Sequence, residues 1–283
     1  MTYGVSVRRR DLPRGELAPG AVEAILSLVD HDFFLSSLAR DTIERAHAQA
    51  ARHRLVIEAR RAGEEPATFG LARVPAGERI TGFVALVIQP DAATIRTSWD
   101  LAASLMPPAS EHVAGPGSLP HLTLTQCALR DAPRERLRQC VARLEDQLRG
   151  GPVPLDAVVT FGAGFLFWCA EPAGPARRAL QSAHELAVTL AEGFLDPAAT
   201  ASIVEATARA FADDPVLVGN ARTHGYALTR ERYLPHITLG FDPRLGDRPA
   251  GAWVASRRHT MTVDRVVLAA LGRHGRVEAA FSL

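Results

Sequence analysis

Two histidines, His121 and His236, lie in hexapeptides that share one pattern, Leu-Pro-His-x-Thr-Leu. The first covers residues 119–124 and the second residues 234–239, so that the two histidines are 115 residues apart. In a β-strand, each His shares one face with the Thr two residues later, while the aliphatic side chains share the other face. The pattern predicts two strands with one polar and one apolar face each. A duplicated fold would bring both polar faces to one cleft.

Paired imidazoles and hydroxyls suit the chemistry of a phosphodiester. Attack of an oxygen nucleophile on phosphorus needs a base, and departure of the leaving oxygen needs an acid. A histidine with its ordinary pKa of about 6.5 is a base when neutral and an acid when charged, so that a pair supplies both functions without a metal. The hydroxyls of Thr123 and Thr238 can donate to the non-bridging phosphate oxygens.

Either hexapeptide alone would be interpreted as an ordinary strand whose His and Thr face solvent. Two copies would require coincidence to supply the His, the Thr, the flanking Leu and the preceding Leu-Pro twice. The repeat therefore favours a functional interpretation over a structural one.

The chain resembles the 2H phosphoesterase superfamily, which includes bacterial 2′–5′ RNA ligase-like proteins and cyclic nucleotide phosphodiesterases. The resemblance rests on the two His-x-Thr-x motifs and on the apolar stretch 83–88, which is similar to the opening strand of the family, and it covers about residues 80–283. It implies an α+β, bilobal, pseudo-twofold fold in which mostly antiparallel sheets line a central cleft. It also implies a metal-independent enzyme in which His121 and His236 form the acid–base pair and Thr123 and Thr238 bind the phosphate.

The expected substrate is a 2′,3′-cyclic phosphate or a 2′–5′ phosphodiester of a nucleotide or an RNA end. Two alternatives stay open: a nucleotide-binding or RNA-end-binding sensor with little turnover, and an ATP-independent 2′–5′ RNA ligase. The chain departs from the ligase-like members directly after the second motif, where many of them carry an Arg and this chain reads Gly240-Phe241-Asp242. An acidic side chain there would repel phosphate unless it points away.

Four further side chains are candidates for substrate binding, each with a structural alternative. Tyr233 could stack on a base or pack its own loop. Phe83 could line the cleft or belong to the core. Arg222 and Arg232 precede the second motif and could meet a phosphate or lie at the solvated surface.

Composition excludes several other chemistries. The 283 residues are 47% hydrophobic and 22% charged, and the formal net charge is +1, which is typical of a globular protein without a bulk electrostatic hold on nucleic acid. All 32 basic residues other than His are Arg. Without lysine, a lysyl-adenylate, a Schiff base and a P-loop lysine are impossible, whereas Arg still recognises phosphate.

The remaining signals concern metals, partners and location. Cys127, Cys140 and Cys169 form no Cys-x-x-Cys pair, and no His, Asp or Glu grouping has metal-ligand spacing, so that we expect neither a disulfide framework, nor a metal, nor a cofactor. The longest apolar run, residues 161–170, is too short to span a membrane. We expect a cytoplasmic monomer with a nucleotide or RNA-end substrate; no protein partner can be inferred.

The pattern along the chain predicts an N-terminal extension, residues 1–78, of uncertain role, followed by a 2H phosphoesterase-like domain, residues 79–283. The extension has helical patterns at 21–29 and 36–51 and a possible hairpin at 55–57 and 67–74, which either extends the main sheet or belongs to an appendage. In the domain, one lobe takes residues 79–150 and the C-terminal strands, and the other takes 151–245 with a helical insertion at 194–215. Predicted elements of the domain are strands at 83–88, 154–160, 165–170, 262–270 and 276–282, helices at 91–106, 134–149 and 176–192, a connection at 216–233 and a short helix near 250–256.

Overall fold

The computed structural model describes residues 72–75, 77–107, 110–115, 118–162, 164–211, 214–246 and 251–283. The helices predicted at 21–29 and 36–51, and most of the predicted hairpin, lie outside these residues. The described part contains nine strands and five α-helices.

The strands form one mostly antiparallel sheet, which confirms the predicted α+β class. Its order is β1-β9-β8-β2-β4-β7-β6-β5, with β3 paired to β7, and only β1 and β9 pair in parallel among the described strands. The strands are β1 (Ala72–Pro75), β2 (Arg79–Pro90), β3 (Glu111–His112), β4 (Leu122–Pro133), β5 (Pro152–Phe161), β6 (Phe165–Ala170), β7 (His236–Phe241), β8 (Trp253–Leu271) and β9 (Val277–Ser282).

Strand β8 also pairs with β5, the last strand of this order, because it is 19 residues long and has different neighbours along its length. Its residues from Trp253 to Thr262 pair with β5, and those from Val263 to Ala270 pair with β2. The short helix predicted near 250–256 is therefore wrong: from Trp253 onward the chain is held in extended form by β5. Strand β1 pairs with β9, so that the predicted extension joins the main sheet at this point. The division into two lobes stays a prediction.

Local capping explains where the helices begin. They are α1 (Ala92–Leu105), α2 (Arg134–Leu148), α3 (Pro175–Leu190), α4 (Pro197–Ala210) and α5 (Pro215–His224). The carboxylates of Asp91, Asp196 and Asp214 accept backbone N–H groups at the start of α1, α4 and α5. A Pro follows at the first helical position of α4 and α5, where its missing N–H has no cost. The connection predicted at 216–233 thus contains helix α5. No described helix is long and apolar enough to cross a membrane.

The insertion at 194–215 is anchored at both of its ends. Near its start, the backbone N–H of Asp196 donates to the carbonyl oxygen of Ala128 in β4 (2.9 Å) and the N–H of Arg130 donates to that of Phe194 (2.7 Å). At the end of α4, the ring of Phe211 lies 6.2 Å from that of Phe161 at the end of β5. The insertion therefore connects the far end of the first motif strand with the turn between β5 and β6.

The aliphatic residues that follow the His in both hexapeptides are in the core, as the period of two predicts. They share one face of the sheet with residues of β2, and helices α2 and α3 supply side chains to the same core cluster. Burial of each Leu or Ile stabilises the fold by roughly 1.5–3 kcal/mol relative to its exposure. The opposite face of β4 and β7 is thereby left to the His and Thr side chains. The buried aliphatic residues that fix this orientation are Leu86, Ile88, Leu122, Leu124, Ile237 and Leu239.

Candidate active site

The two motifs meet where β4 and β7 pair. Leu122 and Ile237 are antiparallel partners, and extending this register by one residue each way places His121 opposite Thr238 and Thr123 opposite His236. Side chains directly opposite each other in an antiparallel pair share a face, with Cβ atoms about 4.5–5.5 Å apart. The structure therefore brings all four motif side chains together, with each imidazole beside the hydroxyl of the other motif.

Both imidazoles are oriented by the same local hydrogen bond. The Nδ1–H of His121 donates to the carbonyl oxygen of Leu119 (2.8 Å), and the Nδ1–H of His236 donates to that of Leu234 (2.7 Å). Since a residue that precedes proline is held in an extended conformation, the Leu-Pro pair fixes this carbonyl in each motif. With Nδ1 protonated, Nε2 of each neutral ring is the unprotonated nitrogen, and it is the atom that can take up or release a proton.

Burial keeps both imidazoles neutral near pH 7. His121 is 5% exposed and His236 is 8% exposed. Loss of hydration lowers the pKa of both, against an opposing effect of the bound carbonyl. For His236 the pKa falls to about 4, and the charge that His121 carries when protonated contributes to this lowering. The two rings thus interact electrostatically. A bound phosphate anion would act in the opposite direction and favour one protonated ring.

The second motif has an aromatic wall that the first does not share. The ring of Phe167 stacks on His236, with 3.6 Å between centroids and 19° between planes. Phe167 is the strand partner of Thr238 and in turn stacks on Phe161 at 5.1 Å. This stacking fixes the plane of the His236 ring. The apolar run 165–170 predicted the strand but did not show which face its aromatic side chains would take.

The first motif has a polar residue of β2, Gln89, next to it in the register. Thr123 is the partner of Val87 in β2, so that Gln89, two residues later, lies next to His121. The amide of Gln89 donates from Nε2 to Asp264 (2.8 Å), and its Oε1 accepts from Nε of Arg265 (3.1 Å). The nitrogen and the oxygen of this buried amide are therefore both satisfied.

Two of the four further candidates are accounted for by other contacts. The ring of Tyr233 is buried and stacks on His184 at 3.9 Å, with the Arg177 guanidinium above it. Its surroundings are those of a residue that packs its loop. Arg232 forms an ion pair with Asp214 at 2.9 Å, at the beginning of α5.

The remaining two candidates lie apart from the motifs. Phe83 is half-buried on the same face of β2 as Val87, and it packs against the small cluster that contains Ala85 and Val87. Arg222 is exposed in the last turn of α5. These contacts do not bring either side chain next to the two imidazoles.

Asp242, which follows the second motif, does not present a free charge to the site. Its buried carboxylate accepts hydrogen bonds from Arg244 (2.7 Å) and from the hydroxyl of Ser110 (2.6 Å), and these hold its pKa well below its usual range. The expected repulsion of phosphate is thus offset by Arg244. The neighbouring Phe241 stacks on His274, with 3.9 Å between ring centroids. This segment therefore has an aromatic ring and a paired carboxylate directly after the second motif, where many of the ligase-like proteins carry an Arg.

His184 is a residue that sequence reasoning missed. Its Nδ1–H donates to the carbonyl oxygen of Leu124 in the first motif (2.6 Å), and its Nε2 accepts the backbone N–H of Arg230 ahead of the second motif (2.8 Å). The side chain thus ties α3 to the first motif strand and to the turn that precedes the second. The available signal was a His on the apolar stripe of α3, with Leu180 and Ala187 one turn away on either side.

The described residues contain no group of three or more His, Cys, Asp and Glu side chains that could hold a metal ion. The three cysteines are buried and free, and burial raises the pKa of each thiol. They therefore offer neither a thiolate nucleophile nor a ready ligand.

Several solved structures are similar to this one at low sequence identity. A phosphoesterase is 14% identical, with 72% of this chain and 97% of its own chain covered and a TM-score of 0.41. E. coli LigT complexed with NADP+ is 14% identical, with 72% and 96% covered and a TM-score of 0.39. TT0787 of Thermus thermophilus is 14% identical, with 70% and 94% covered and a TM-score of 0.37. No protein-family model matches the chain, and no curated protein matches its sequence.

Proposed function

We propose that this chain is a phosphodiesterase of the 2H type, which uses His121 and His236 on a 2′,3′-cyclic phosphate or a 2′–5′ phosphodiester of a nucleotide or an RNA end. The observation that supports the proposal is the pairing of Leu122 in β4 with Ile237 in β7, because extending this register by one residue each way puts each imidazole opposite the hydroxyl of the other motif. Hydrogen bonding of both Nδ1 atoms to backbone leaves both Nε2 atoms for proton transfer.

Hydrolysis then needs only these side chains and water. The Nε2 of one neutral imidazole removes a proton from water as the water oxygen bonds to phosphorus. The bond from phosphorus to the 2′ or 3′ oxygen breaks, and the second imidazole, protonated, gives its proton to that oxygen. The hydroxyls of Thr123 and Thr238 donate to the non-bridging oxygens, where negative charge increases during attack. Because acid and base both come from the chain, the proposal is metal-independent.

The test is a substrate panel with purified protein. We expect turnover of at least one of the 2′,3′-cyclic mononucleotides, 2′–5′ dinucleotides or oligoribonucleotides with a 2′,3′-cyclic end, and we expect it to persist in excess EDTA. The pH profile of the rate should be bell-shaped, because one ring must be neutral while the other is charged. Complete loss of activity in EDTA, or a rate that rises steadily to about pH 9, would contradict the paired roles.

Two other outcomes of the panel correspond to the alternative functions. Tight binding of a cyclic phosphate with no product after long incubation would indicate a sensor. Joining of RNA ends without ATP would indicate a ligase, which runs the same proton transfers in reverse. A cytoplasmic, monomeric protein without a cofactor stays the prediction for all three.

A further inference from the structure

A continuous row of side chains leads away from the motifs across the second half of the sheet. Thr238 in β7 is the partner of Phe167 in β6, Phe167 is the partner of Val159 in β5, and Val159 is the partner of Trp253 in β8. Strand partners share a face, so that all four side chains lie on the face of the two histidines. With about 4.8 Å between neighbouring strands, Trp253 is roughly 14 Å from Thr238.

Trp253 ends this row as an exposed aromatic ring. It is 67% exposed, and no other large hydrophobic side chain of the described residues is so open to solvent. A single exposed apolar residue is common on protein surfaces. This one differs in that the half-buried Val159 and Phe161 continue its apolar surface to the stacked pair of Phe167 and His236.

A cation accompanies the ring on the same strand. Ser256 is the partner of Ala157, which is on the same face of β5 as Val159, and Arg258 follows Ser256 by two residues. The next residue, His259, pairs with the buried Leu155 and contacts Thr94 and Trp168 on the core side, so that Arg258 faces the motif side of the sheet. Its side chain is 87% exposed and forms an ion pair with the carboxylate of Asp156 at 3.7 Å, a distance too long for a good hydrogen bond. The guanidinium is thus largely open to solvent, and an anionic ligand would compete with Asp156 for it.

The aromatic rings of Phe167 and Phe161, which are closer to the motifs, are covered by other rings. Phe167 is 5% exposed, with His236 on one side and Phe161 on the other. The half-buried Phe161 packs against Phe167 and Phe211, so that the ring most open to solvent along this surface is that of Trp253. The backbones at Thr238 and Trp253 are roughly 14 Å apart, which leaves room between a phosphate at the motifs and the Trp253 ring for the nucleotide that carries the phosphate, so that we assign a base at Trp253 to the neighbouring nucleotide.

We propose that Trp253 is a stacking subsite for the base of the nucleotide next to the one that carries the reacting phosphate, and that Arg258 contacts a backbone phosphate of the same strand. The inference rests on the proposed function and deepens it: the preferred substrate is the end of a single RNA strand and not a mononucleotide. Exposed aromatic rings combined with guanidinium groups are the usual means by which proteins hold single-stranded nucleic acid.

The experiment compares kcat/KM for two substrates, a nucleoside 2′,3′-cyclic phosphate and a tetraribonucleotide that ends in a 2′,3′-cyclic phosphate. We expect W253A to lose roughly 5- to 100-fold on the tetranucleotide, as for the loss of one stacked base, and to leave the mononucleotide unchanged. W253F, which keeps an aromatic face, should retain most of the activity. R258Q should weaken the tetranucleotide alone and reduce the dependence of its KM on salt.

Equal losses on both substrates in W253A, or no loss on either, would overturn the subsite. So would a size-exclusion profile in which wild type is a dimer and W253A a monomer, since Trp253 would then cover a second copy of the chain. If wild type turns over neither substrate, the proposed function is wrong, but the subsite can still be tested by a binding measurement. Quenching of tryptophan fluorescence by a tetraribonucleotide 3′-phosphate should then be present in wild type and lost in W253A, and its retention in W253A would overturn the subsite.

Discussion

The two copies of the motif share their internal geometry and differ in what surrounds them. In each, the Leu-Pro pair positions a carbonyl that accepts the Nδ1–H of the His, and in each the ring is buried. Next to His121 lies the hydrogen-bonded Gln89, which is held by Asp264 and Arg265. Next to His236 lies Phe167 and the aromatic side chains that follow it.

This difference separates the features that both motifs share from those that surround only one motif. The repeated part, an oriented imidazole beside a hydroxyl, is what proton transfer at phosphorus requires. The unrepeated part lies to one side only, because the apolar row from Phe167 to Trp253 is next to the second motif. We infer that the chemistry is shared by the two copies, whereas the bases of a substrate are bound over the second.

The largest expected effect is the loss of either imidazole. H121Q and H236Q should each reduce kcat by roughly 10²- to 10⁴-fold, because acid and base are both needed in one step. The double variant should be little slower than either single variant, since residues that act as a unit are not additive. Rates on the best substrate of the panel measure this, with unchanged circular dichroism as the check on folding and H224Q, a substitution in α5, as the control. Full activity in either single variant would show that only one copy is catalytic.

The two hydroxyls provide the next comparison. T123V and T238V keep the shape of the side chain and remove the donor, so that each should lower kcat by roughly 10²- to 10³-fold, as for loss of one oxyanion donor. T123S and T238S restore the hydroxyl and should recover most of the rate. If one Val variant kept its full kcat while the other lost activity, only one motif would bind the phosphate. The symmetric arrangement of the two hydroxyls would then have no role in catalysis.

The sequence predicted the repeated part of the site better than the specific part. Alternation of polar and apolar residues in each hexapeptide gave the correct faces, since Leu122 and Ile237 are fully buried while Thr123 and Thr238 remain half-buried. The strand at 165–170 was also predicted correctly.

What the sequence did not reveal depends on contacts between distant segments. The role of His184 requires that α3 pack against the first motif strand and against the turn at Arg230 at once. The place of Trp253 depends on its pairing with Val159 across an irregular register, where β8 contains an extra residue. Such a bulge changes which face a side chain takes, and residues near 250–256 were consequently predicted as a helix.

His184, which is buried between the first motif and the turn ahead of the second, should make stability depend on pH. Burial lowers the pKa of His184 and of His236 to about 4, from an ordinary value of 6.5. Between these values the unfolded chain binds protons that the folded chain does not, so that the free energy of unfolding is full above pH 6.5 and falls as the pH drops toward 4. Each group contributes about 1.4 kcal/mol per pH unit in that window.

Urea unfolding at several pH values between about 7 and 5 measures this dependence. H184Q should have a shallower dependence of the free energy of unfolding on pH than wild type, whatever its stability at neutral pH. The measured quantity is the change of the free energy of unfolding with pH and not its value at one pH, because the substitution also removes two hydrogen bonds. An unchanged slope in H184Q would show that this histidine does not resist protonation in the folded state.

The smallest expected effect tests whether the two copies interact directly. Because a proton on His121 disfavours a proton on His236, H121Q should raise the pKa of His236 above its wild-type value of about 4. The rise should be smaller than the lowering caused by burial, which is the larger cause, so that the pKa stays below 6.5. Titration of the imidazole Cε1–H resonance of His236 by NMR measures it, with H224Q as the matched control. An unchanged pKa of His236 in H121Q would mean that the two rings are too far apart to share one phosphate. The two motifs would then not act together on one phosphate, even if each histidine were needed for turnover.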